Sequence, residues 1–300
     1  MTWEQSRAWL TKCLPPIADS LERGTQEIRV RCANPAVLTG SHGMKTLPWS
    51  PGKTEILRAV EALTERGFHA RYEETARGFL SLRGGHRLGL CGQMGSGGFE
   101  EVSGFCLRLA GQWPGAADEV IRALATKPVS LLVIGPPGSG KTTLLRDLCR
   151  QWSLAGVQAA VNDRRGELAA LWQGVPQLDV GPMTDVVAGC PWEKGLFQIL
   201  SSLRPQVVFT DELAPGELKE VREALLCGVK VCASAHGKDL AAVIRRFPRL
   251  LEERLFDAYA VLNRGRLQAL YDGEGKPWEP FLPWEPGCAA SLWDLAPERR

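Results

Sequence analysis

The sequence predicts an α/β fold in which a mostly parallel sheet flanked by helices follows a smaller N-terminal α+β domain. From about residue 126, short apolar runs alternate with helical stretches, which is the arrangement that builds a parallel sheet. A Gly-x4-Gly-Lys-Thr sequence lies between one such run and a helix, at residues 135–142. Residues 1–125 instead mix short helical and strand-like pieces. We therefore expect domains at residues 1–125 and 126–272, followed by a C-terminal tail at 273–300.

The N-terminal elements follow from two periodicities. Apolar residues at helical spacing predict helices, and alternation of apolar with polar residues predicts half-buried strands. Two strand-like runs on either side of Gly84 and Gly85 predict a hairpin, because glycine favours tight turns. In chain order, the predicted elements are an amphipathic helix around Trp3–Leu14, a strand at Glu27–Arg31, a helix at Thr54–Arg66, and the hairpin strands Phe79–Leu82 and Leu88–Cys91.

The elements of the second half follow from its apolar runs. Helical spacing predicts helices near Thr142–Trp152 and Pro215–Leu226, and a late hairpin pairs Ala258–Leu262 with Leu267–Tyr271. Beyond Tyr271 the chain is rich in proline, tryptophan and charge without a clear period, which predicts a loosely packed tail. Four apolar runs predict buried strands of a parallel sheet, at Val129–Ile134, Val157–Val161, Val207–Thr210 and Val229–Ala235.

The composition argues against several classes of protein. The chain of 300 residues carries 36 basic and 34 acidic side chains, so its formal charge of +2 does not indicate a nucleic-acid or anionic-membrane partner. Its nine cysteines are scattered without Cys-x-x-Cys spacing, as in a reduced cytoplasmic protein. No window approaches the roughly 18 apolar residues of a membrane span, and no signal sequence is recognisable. We therefore expect neither secretion nor a transmembrane segment.

The Gly-x4-Gly-Lys-Thr sequence predicts a phosphate loop that binds ATP. Its glycines let the backbone curl so that main-chain amides point inward, and the N-terminus of the following helix adds positive potential. Lys141 is expected to bridge the terminal phosphates, and Thr142 to give Mg²⁺ an oxygen ligand. The residues that we expect to contact ATP are Gly135, Pro136, Pro137, Gly138, Ser139, Gly140, Lys141, Thr142 and Thr143.

Two carboxylates, Asp211 and Glu212, end the predicted strand Val207–Thr210. In parallel sheets, ligands bind at the carboxyl ends of strands. We expect Asp211 to orient Mg²⁺ through its water shell, and Glu212 to polarise the attacking water as the general base of ATP hydrolysis. The alternative interpretation is an acidic strand terminus or a helix N-cap.

Two neighbouring strands also end in polar residues. His236 follows the run Val229–Ala235 and is expected beside the γ-phosphate, where it would sense phosphate or position water; the alternative is a histidine that merely ends the strand. Asp163 and Glu167 follow Val157–Val161. They are candidates for contact with the catalytic water or the metal shell, or for a solvated loop.

These motifs resemble the family of stage III sporulation protein AA, which is related to the type II and type IV secretion ATPases. The likeness extends over most of the chain. It rests on GPPGSGKTTLLRDL at 135–148, VPQLDVGPMTDVVAGCP at 175–191, the strand before Asp211, Ala235-His236-Gly237, EIRVR at 27–31 and GGHRLGLCG at 84–92.

The resemblance implies a RecA-like P-loop ATPase core with a smaller N-terminal domain. It also implies a cytoplasmic ATPase in the mother cell of an endospore-forming bacterium, docked at the inner face of the membrane on the channel to the forespore. Such ATPases are usually hexamers, so the expected partners are further copies of the chain and membrane-embedded channel components. In that picture, ATP turnover drives movement between the two domains. By the same likeness, His236 belongs to the family's histidine box, and Asp163 with Glu167 belongs to its acidic box.

The sequence departs from the family's pattern at two positions. The acidic box is expected to read Asp-Glu-Arg, whereas Arg164 and Arg165 follow Asp163 here, which leaves its water-positioning role open. Met183 stands where arginine is expected, and turnover would be slow if that arginine touched phosphate or a neighbouring subunit. A ring ATPase is also expected to use an arginine in trans. Candidates, each of which would otherwise serve in a surface ion pair, are Arg29, Arg31, Arg83, Arg87 and Arg108.

Two other functions stay open on the sequence. RecA-like engines also move on DNA or RNA, so a nucleic-acid-linked ATPase would show turnover that nucleic acid stimulates, with a steep salt dependence. A nucleotide-binding scaffold without catalysis would bind ATP and not hydrolyse it.

Overall fold

The chain forms two compact units in a computed structural model that describes residues 2–65, 79–95, 98–124 and 128–278. The first unit contains Met1–Gly111 and Leu171–Gln177, and the second contains Gln112–Ala170 and Leu178–Arg300. The units thus divide after Gly111, whereas the domain boundary predicted between residues 125 and 126 lies outside the described residues. The segment before that boundary belongs to the second unit because Asp147 accepts hydrogen bonds at 3.0 Å from the amides of Gly115 and Ala117.

The first unit is built on a six-stranded sheet in which every neighbouring pair is antiparallel. Its strands are β1 (Thr25–Arg31), β2 (Asn34–Gly40), β3 (Gly43–Thr46), β4 (Leu80–Ser81), β5 (Arg87–Gly95) and β6 (Gly98–Arg108). They stand in the order β3-β2-β1-β6-β5-β4. A separate two-stranded ribbon, β9 (Leu171–Trp172) with β10 (Val175–Pro176), belongs to the same unit. The strand predicted at Glu27–Arg31 is confirmed, since Ile28 and Val30 are buried between more exposed residues.

Two helices bury the apolar face of this sheet. They are α1 (Trp3–Cys13) and α2 (Lys53–Leu63). Ile56, Val60 and Leu63 of α2 are fully buried in the same core as Ile28. This helix was predicted to extend to Arg66, which lies outside the described residues. The predicted hairpin is confirmed by the antiparallel pairing of β4 with β5, and Gly84 in its turn has φ 78°, a conformation that glycine adopts readily.

His86 is a buried neutral histidine of the first unit. Its ring stacks on Trp9 with centroids 5.4 Å apart, and its Nδ1 accepts a hydrogen bond from the amide of Ala110 at 3.0 Å. Because Nδ1 is an acceptor, the proton of the neutral imidazole is on Nε2. Burial lowers the pKa of His86 from 6.5 to about 4.

The protein is therefore expected to lose stability as pH falls from about 6.5 to about 4. In that window the unfolded chain binds a proton on this histidine and the folded chain does not, so the free energy of unfolding declines by about 3 kcal/mol. His86→Asn retains an acceptor for Ala110 and removes the titration. Its free energy of unfolding in urea should decline less across this window than that of the wild type. An equal decline in both proteins would contradict the prediction.

The second unit contains a seven-stranded sheet in which only the last pair of strands is antiparallel. Its strands are β7 (Leu131–Gly135), β8 (Ala159–Asp163), β11 (Thr184–Ala188), β12 (Val207–Thr210), β13 (Lys230–His236), β14 (Ala258–Asn263) and β15 (Arg266–Asp272). They stand in the order β11-β8-β12-β13-β7-β14-β15. The four strands predicted for a parallel sheet are confirmed, as is the hairpin of β14 with β15. Because parallel strands end at one edge, that edge carries Gly135, Asp163, Asp211 and His236.

Helices cover both faces of the second sheet. Leu148 packs with Val133 in one core cluster, and Val221 packs with Ile134 in the other, as expected from the alternation of side chains along a strand. The helices described in this unit are α3 (Asp118–Leu124), α4 (Lys141–Leu154), α5 (Trp192–Ser202), α6 (Leu218–Leu226) and α7 (Leu240–Arg246). A 3₁₀ turn at Pro215–Glu217 precedes α6. The predicted helices near Thr142–Trp152 and Pro215–Leu226 are thus confirmed.

Four elements of this unit, β11, α3, α5 and α7, were not predicted from the sequence. The helices α3 and α7 have only seven residues each, which is too few for a clear helical period. Strand β11 lies at the edge of the sheet and all of its residues are only half-buried, so it lacks the long apolar run of a central strand. Helix α5 contains Gly195, a residue that disfavours helices. Its glycine has a packing reason, because a Cβ atom there would lie 2.4 Å from the side chain of Asn162.

The chain after β15 folds back on the sheet for a few residues. The amide of Trp278 donates to the carbonyl of Leu270 at 2.8 Å, and the indole packs against the core. Residues 273–278, which we expected to begin a loosely packed tail, are therefore ordered on β15. The rest of that tail, 279–300, lies outside the described residues. Among the residues that the structure describes, we find no helix with the length and hydrophobicity of a membrane span.

Candidate functional site

The phosphate loop connects the end of β7 to the first residue of α4. Gly138 and Gly140 have φ of 73° and 93°, in the left-handed region that strains other residues. The Oγ atom of Ser139 is buried without a hydrogen-bond partner among the described residues, although a buried hydroxyl ordinarily has one. The loop therefore offers an unsatisfied hydroxyl and a helix N-terminus, and both fit phosphate oxygens.

Lys141 folds back over this loop. Its ammonium donates to the carbonyls of Gly135 and Pro136, both at 3.0 Å, and lies 3.3 Å from Nδ1 of His236. Burial lowers the pKa of Lys141, and the negative charges of Asp211 and Glu212 oppose that effect. The ammonium thus satisfies loop carbonyls in a position from which it can turn to phosphate.

Asp211 contacts the start of α4. Thr142 donates its hydroxyl proton toward the carboxylate, with Oγ1 at 3.1 Å from Oδ2 and 3.3 Å from Oδ1. Ser234 Oγ and the Glu212 amide also donate to Oδ1, each at 3.0 Å. Oxygen ligands of this kind fit Mg²⁺, which is commonly held by one or two protein groups together with phosphates and water. Among the described residues, no group of three or more histidines, cysteines or acidic residues could hold a metal without such help.

Glu212 faces two nitrogen donors. Its Oε1 lies 3.1 Å from Nε2 of His236, and its Oε2 lies 2.5 Å from Nη1 of Arg165. A lysine ammonium can only donate, so Nδ1 of His236 accepts from Lys141 and the histidine proton is on Nε2. His236 therefore links the phosphate-loop lysine to the candidate general base.

Arg164 holds the main chain beside these carboxylates. Its Nη2 donates to the Glu212 carbonyl and, at 3.3 Å, to the Asp211 carbonyl. Its Nη1 lies 2.5 Å from Oε1 of Glu217. No role for Arg164 or Ser234 was predicted from the sequence. The signal for Ser234 was a hydroxyl in an otherwise apolar strand, two residues before His236.

Asp163 does not have the role expected of the acidic box. The residue is 1% exposed, and its carboxylate accepts four backbone hydrogen bonds of 2.8–3.1 Å from residues 167–170. Because these amides occupy both oxygens, Asp163 organises its loop and is not available to water or metal. Arg146 supports the same loop by donating to the Leu168 carbonyl at 2.7 Å. Glu167 lies 3.6 Å from Nε of Arg165, and its negative charge also acts on Lys141.

Met183 lies far from the phosphate loop. Its carbonyl accepts from the amide of Ala159, the first residue of β8, so Met183 is at the amino edge of the sheet. An arginine at this position would not reach the phosphate loop of its own chain.

Most of the arginines considered for a role in trans have partners within the first unit. Arg29 and Arg108 contact Glu27, Arg83 lies 3.9 Å from Glu65, Arg87 lies 3.6 Å above the Phe79 ring, and Arg31 is exposed.

Two solved structures superpose on this chain and share its fold. The Legionella pneumophila ATPase DotB superposes with a TM-score of 0.56 at 14% identity, over 85% of this chain and 75% of that chain. The pilus retraction motor PilT with bound ADP gives a TM-score of 0.57 at 17% identity, over 82% and 76%. The predicted fold class, an α/β core on a mostly parallel sheet with a smaller N-terminal α+β domain, is confirmed, and the chain shares the fold of these two proteins.

The comparison of sequences identifies the family. Stage III sporulation protein AA of Bacillus subtilis (strain 168) is 33% identical over 268 residues, which cover 83% of this chain and 87% of that protein. The family model described as sporulation stage III, protein AA, matches residues 10–277. The chain therefore belongs to the sporulation stage III, protein AA family.

Proposed function

We propose that this chain is a Mg²⁺-dependent ATPase that energises a transport channel between mother cell and forespore. The observation that carries the proposal is the contact of Thr142, at the end of the phosphate loop, with Asp211 at the end of a neighbouring strand. A loop that only turned the chain would not require a carboxylate hydrogen-bonded to the threonine that follows its lysine. The family and the fold of the secretion ATPases support the same function.

The side chains have distinct roles in this proposal. The loop amides, Ser139 and Lys141 bind the phosphates of ATP, and Lys141 exchanges the two loop carbonyls for phosphate oxygens. Thr142 and Asp211 would hold Mg²⁺. When bound, that ion would neutralise charge that develops on the phosphates.

Glu212 and His236 act on the attacking water. Each carboxylate oxygen of Glu212 has a second lone pair beside those used by His236 and Arg165, so it can accept the proton of a water. His236 orients that carboxylate through Nε2 and senses the phosphate end through Lys141. The departure at Met183 leaves this arrangement unchanged.

The proposed assembly follows from the family. The protein would act as a homo-hexamer in the cytoplasm, peripheral to the inner face of the mother cell membrane and bound to membrane-embedded channel components. Turnover would then move the two domains of each subunit.

The test measures ATP turnover and assembly state of the purified protein, with and without membranes that contain the channel components. We expect turnover that requires Mg²⁺, a ring-sized assembly, and sedimentation with those membranes. Turnover that responds instead to DNA or RNA, with a steep salt dependence, would support the nucleic-acid-linked alternative. ATP binding without turnover in every condition would support the other alternative, a nucleotide-binding scaffold without catalysis.

A further inference from the structure

The candidate general base has an unusual backbone. Glu212 has φ 24°, outside the regions that residues with a side chain normally occupy. Such conformations persist only where the surroundings impose them, and they are common at functional sites. Here the amide of Glu212 is fixed by Oδ1 of Asp211 at 3.0 Å and by Oγ of Ser234 at 3.2 Å.

Arg164 fixes the other side of the same residue. Its guanidinium donates to the Glu212 carbonyl and lies 2.5 Å from Oε1 of Glu217. The second oxygen of Glu217 accepts from the amide of Ala214 at 2.8 Å. Arg164 therefore joins the two ends of the segment 211–217, which connects β12 to α6 through the 3₁₀ turn. The two side chains of the ion pair are only 23% and 21% exposed, so water competes weakly with these contacts.

We propose that Arg164 is a positioning residue, which holds the main chain of Glu212 so that its carboxylate faces His236 and the phosphate loop. The inference rests on the proposed function. Only arginine offers a rigid, planar set of donors that can serve two carbonyls and a carboxylate at once, whereas lysine is a point donor on a flexible stem.

The test compares Arg164→Ala and Arg164→Lys with wild type. Because a carboxylate displaced by about 1 Å can cost up to about 10²-fold, we expect kcat to fall about tenfold or more in both variants. The affinity for a fluorescent ATP analogue should stay within about twofold of wild type, because the phosphate loop is unchanged. Arg222→Ala is the matched control, since it removes an arginine ion pair with Glu253 elsewhere in the same unit and should leave kcat unchanged.

A second readout does not depend on turnover. In Arg164→Ala, the amides of Glu212, Leu213 and Ala214 should exchange with deuterium faster than in wild type, with Arg222→Ala unchanged. If the wild type hydrolyses ATP, a wild-type kcat in Arg164→Ala overturns the positioning role and leaves the proposed function intact. An equal loss of kcat and nucleotide affinity, together with a lower Tm, also overturns it, because that pattern indicates only a structural role. If the wild type does not hydrolyse ATP, the proposed function fails, and unchanged exchange at these three amides overturns the inference separately.

Discussion

Glu212→Gln is expected to lower kcat for ATP hydrolysis by about 10²–10⁴-fold, the usual contribution of a general base. Glutamine has the same size and can still accept from His236 or Arg165, so the local packing should persist. It cannot accept the proton of the attacking water. Binding of a fluorescent ATP analogue in the presence of Mg²⁺ should remain close to wild type, because the residues of the phosphate loop are unchanged.

Two controls make the interpretation of Glu212→Gln specific. Glu223→Gln makes the same chemical change at an exposed position of α6 and should leave kcat unchanged. Lys141→Ala should instead reduce nucleotide affinity and turnover together, since it removes a ligand of the phosphates. Turnover of Glu212→Gln at the wild-type rate would show that another group takes the proton.

Asp163→Ala is expected to lower the free energy of unfolding by about 3–5 kcal/mol, because it leaves four sheltered amides without an acceptor. It also removes a negative charge near the buried guanidinium of Arg146. Asp163→Asn should lower the free energy of unfolding less than Asp163→Ala does, since its single carbonyl oxygen can still accept two of the four hydrogen bonds. Urea unfolding measured by circular dichroism gives the comparison.

The control for Asp163 is Asp118→Asn, in the first turn of α3, where the loss should be at most about 1 kcal/mol. The result decides between two roles for the acidic box. A stable Asp163→Asn protein with normal nucleotide binding and strongly reduced kcat would restore the water-positioning role that the geometry argues against. Loss of stability as the primary effect would establish the loop-organising role.

The sequence indicated most of the second unit because its central strands are buried on both faces. Such strands appear as continuous apolar runs, and each of the four predicted runs forms a strand. The edge strand β11 was missed because all of its residues are only half-buried, so it lacks a long apolar run. In the first unit, β2, β3 and β6 went unrecognised, since antiparallel strands with one exposed face differ little in pattern from loops when they are short or, as in β6, interrupted by glycine.

At the site too, some residue roles could be predicted from the local sequence and others could not. Lys141, Thr142, Asp211 and Glu212 were identified because each follows a predicted strand or a glycine-rich turn, and these are local patterns. The role of Asp163 could not be predicted from the residues next to it in the sequence. A carboxylate at a strand end serves equally well as a metal ligand or as an acceptor for its own loop, and only the folded loop selects the second role.

The sequence by itself determined the Gly-x4-Gly-Lys-Thr loop and the carboxylate pair at a strand end, because both are local patterns. It also determined the family, through short motifs that are distributed along most of the chain. Tertiary structure decided which groups surround those carboxylates. Strand β12 lies between β8 and β13, so the loop after β8 brings Arg164 and Arg165 to Glu212 from one side, and β13 brings Ser234 and His236 from the other. The order of strands in a sheet is set by how their buried faces pack together, and that information is spread over the whole chain.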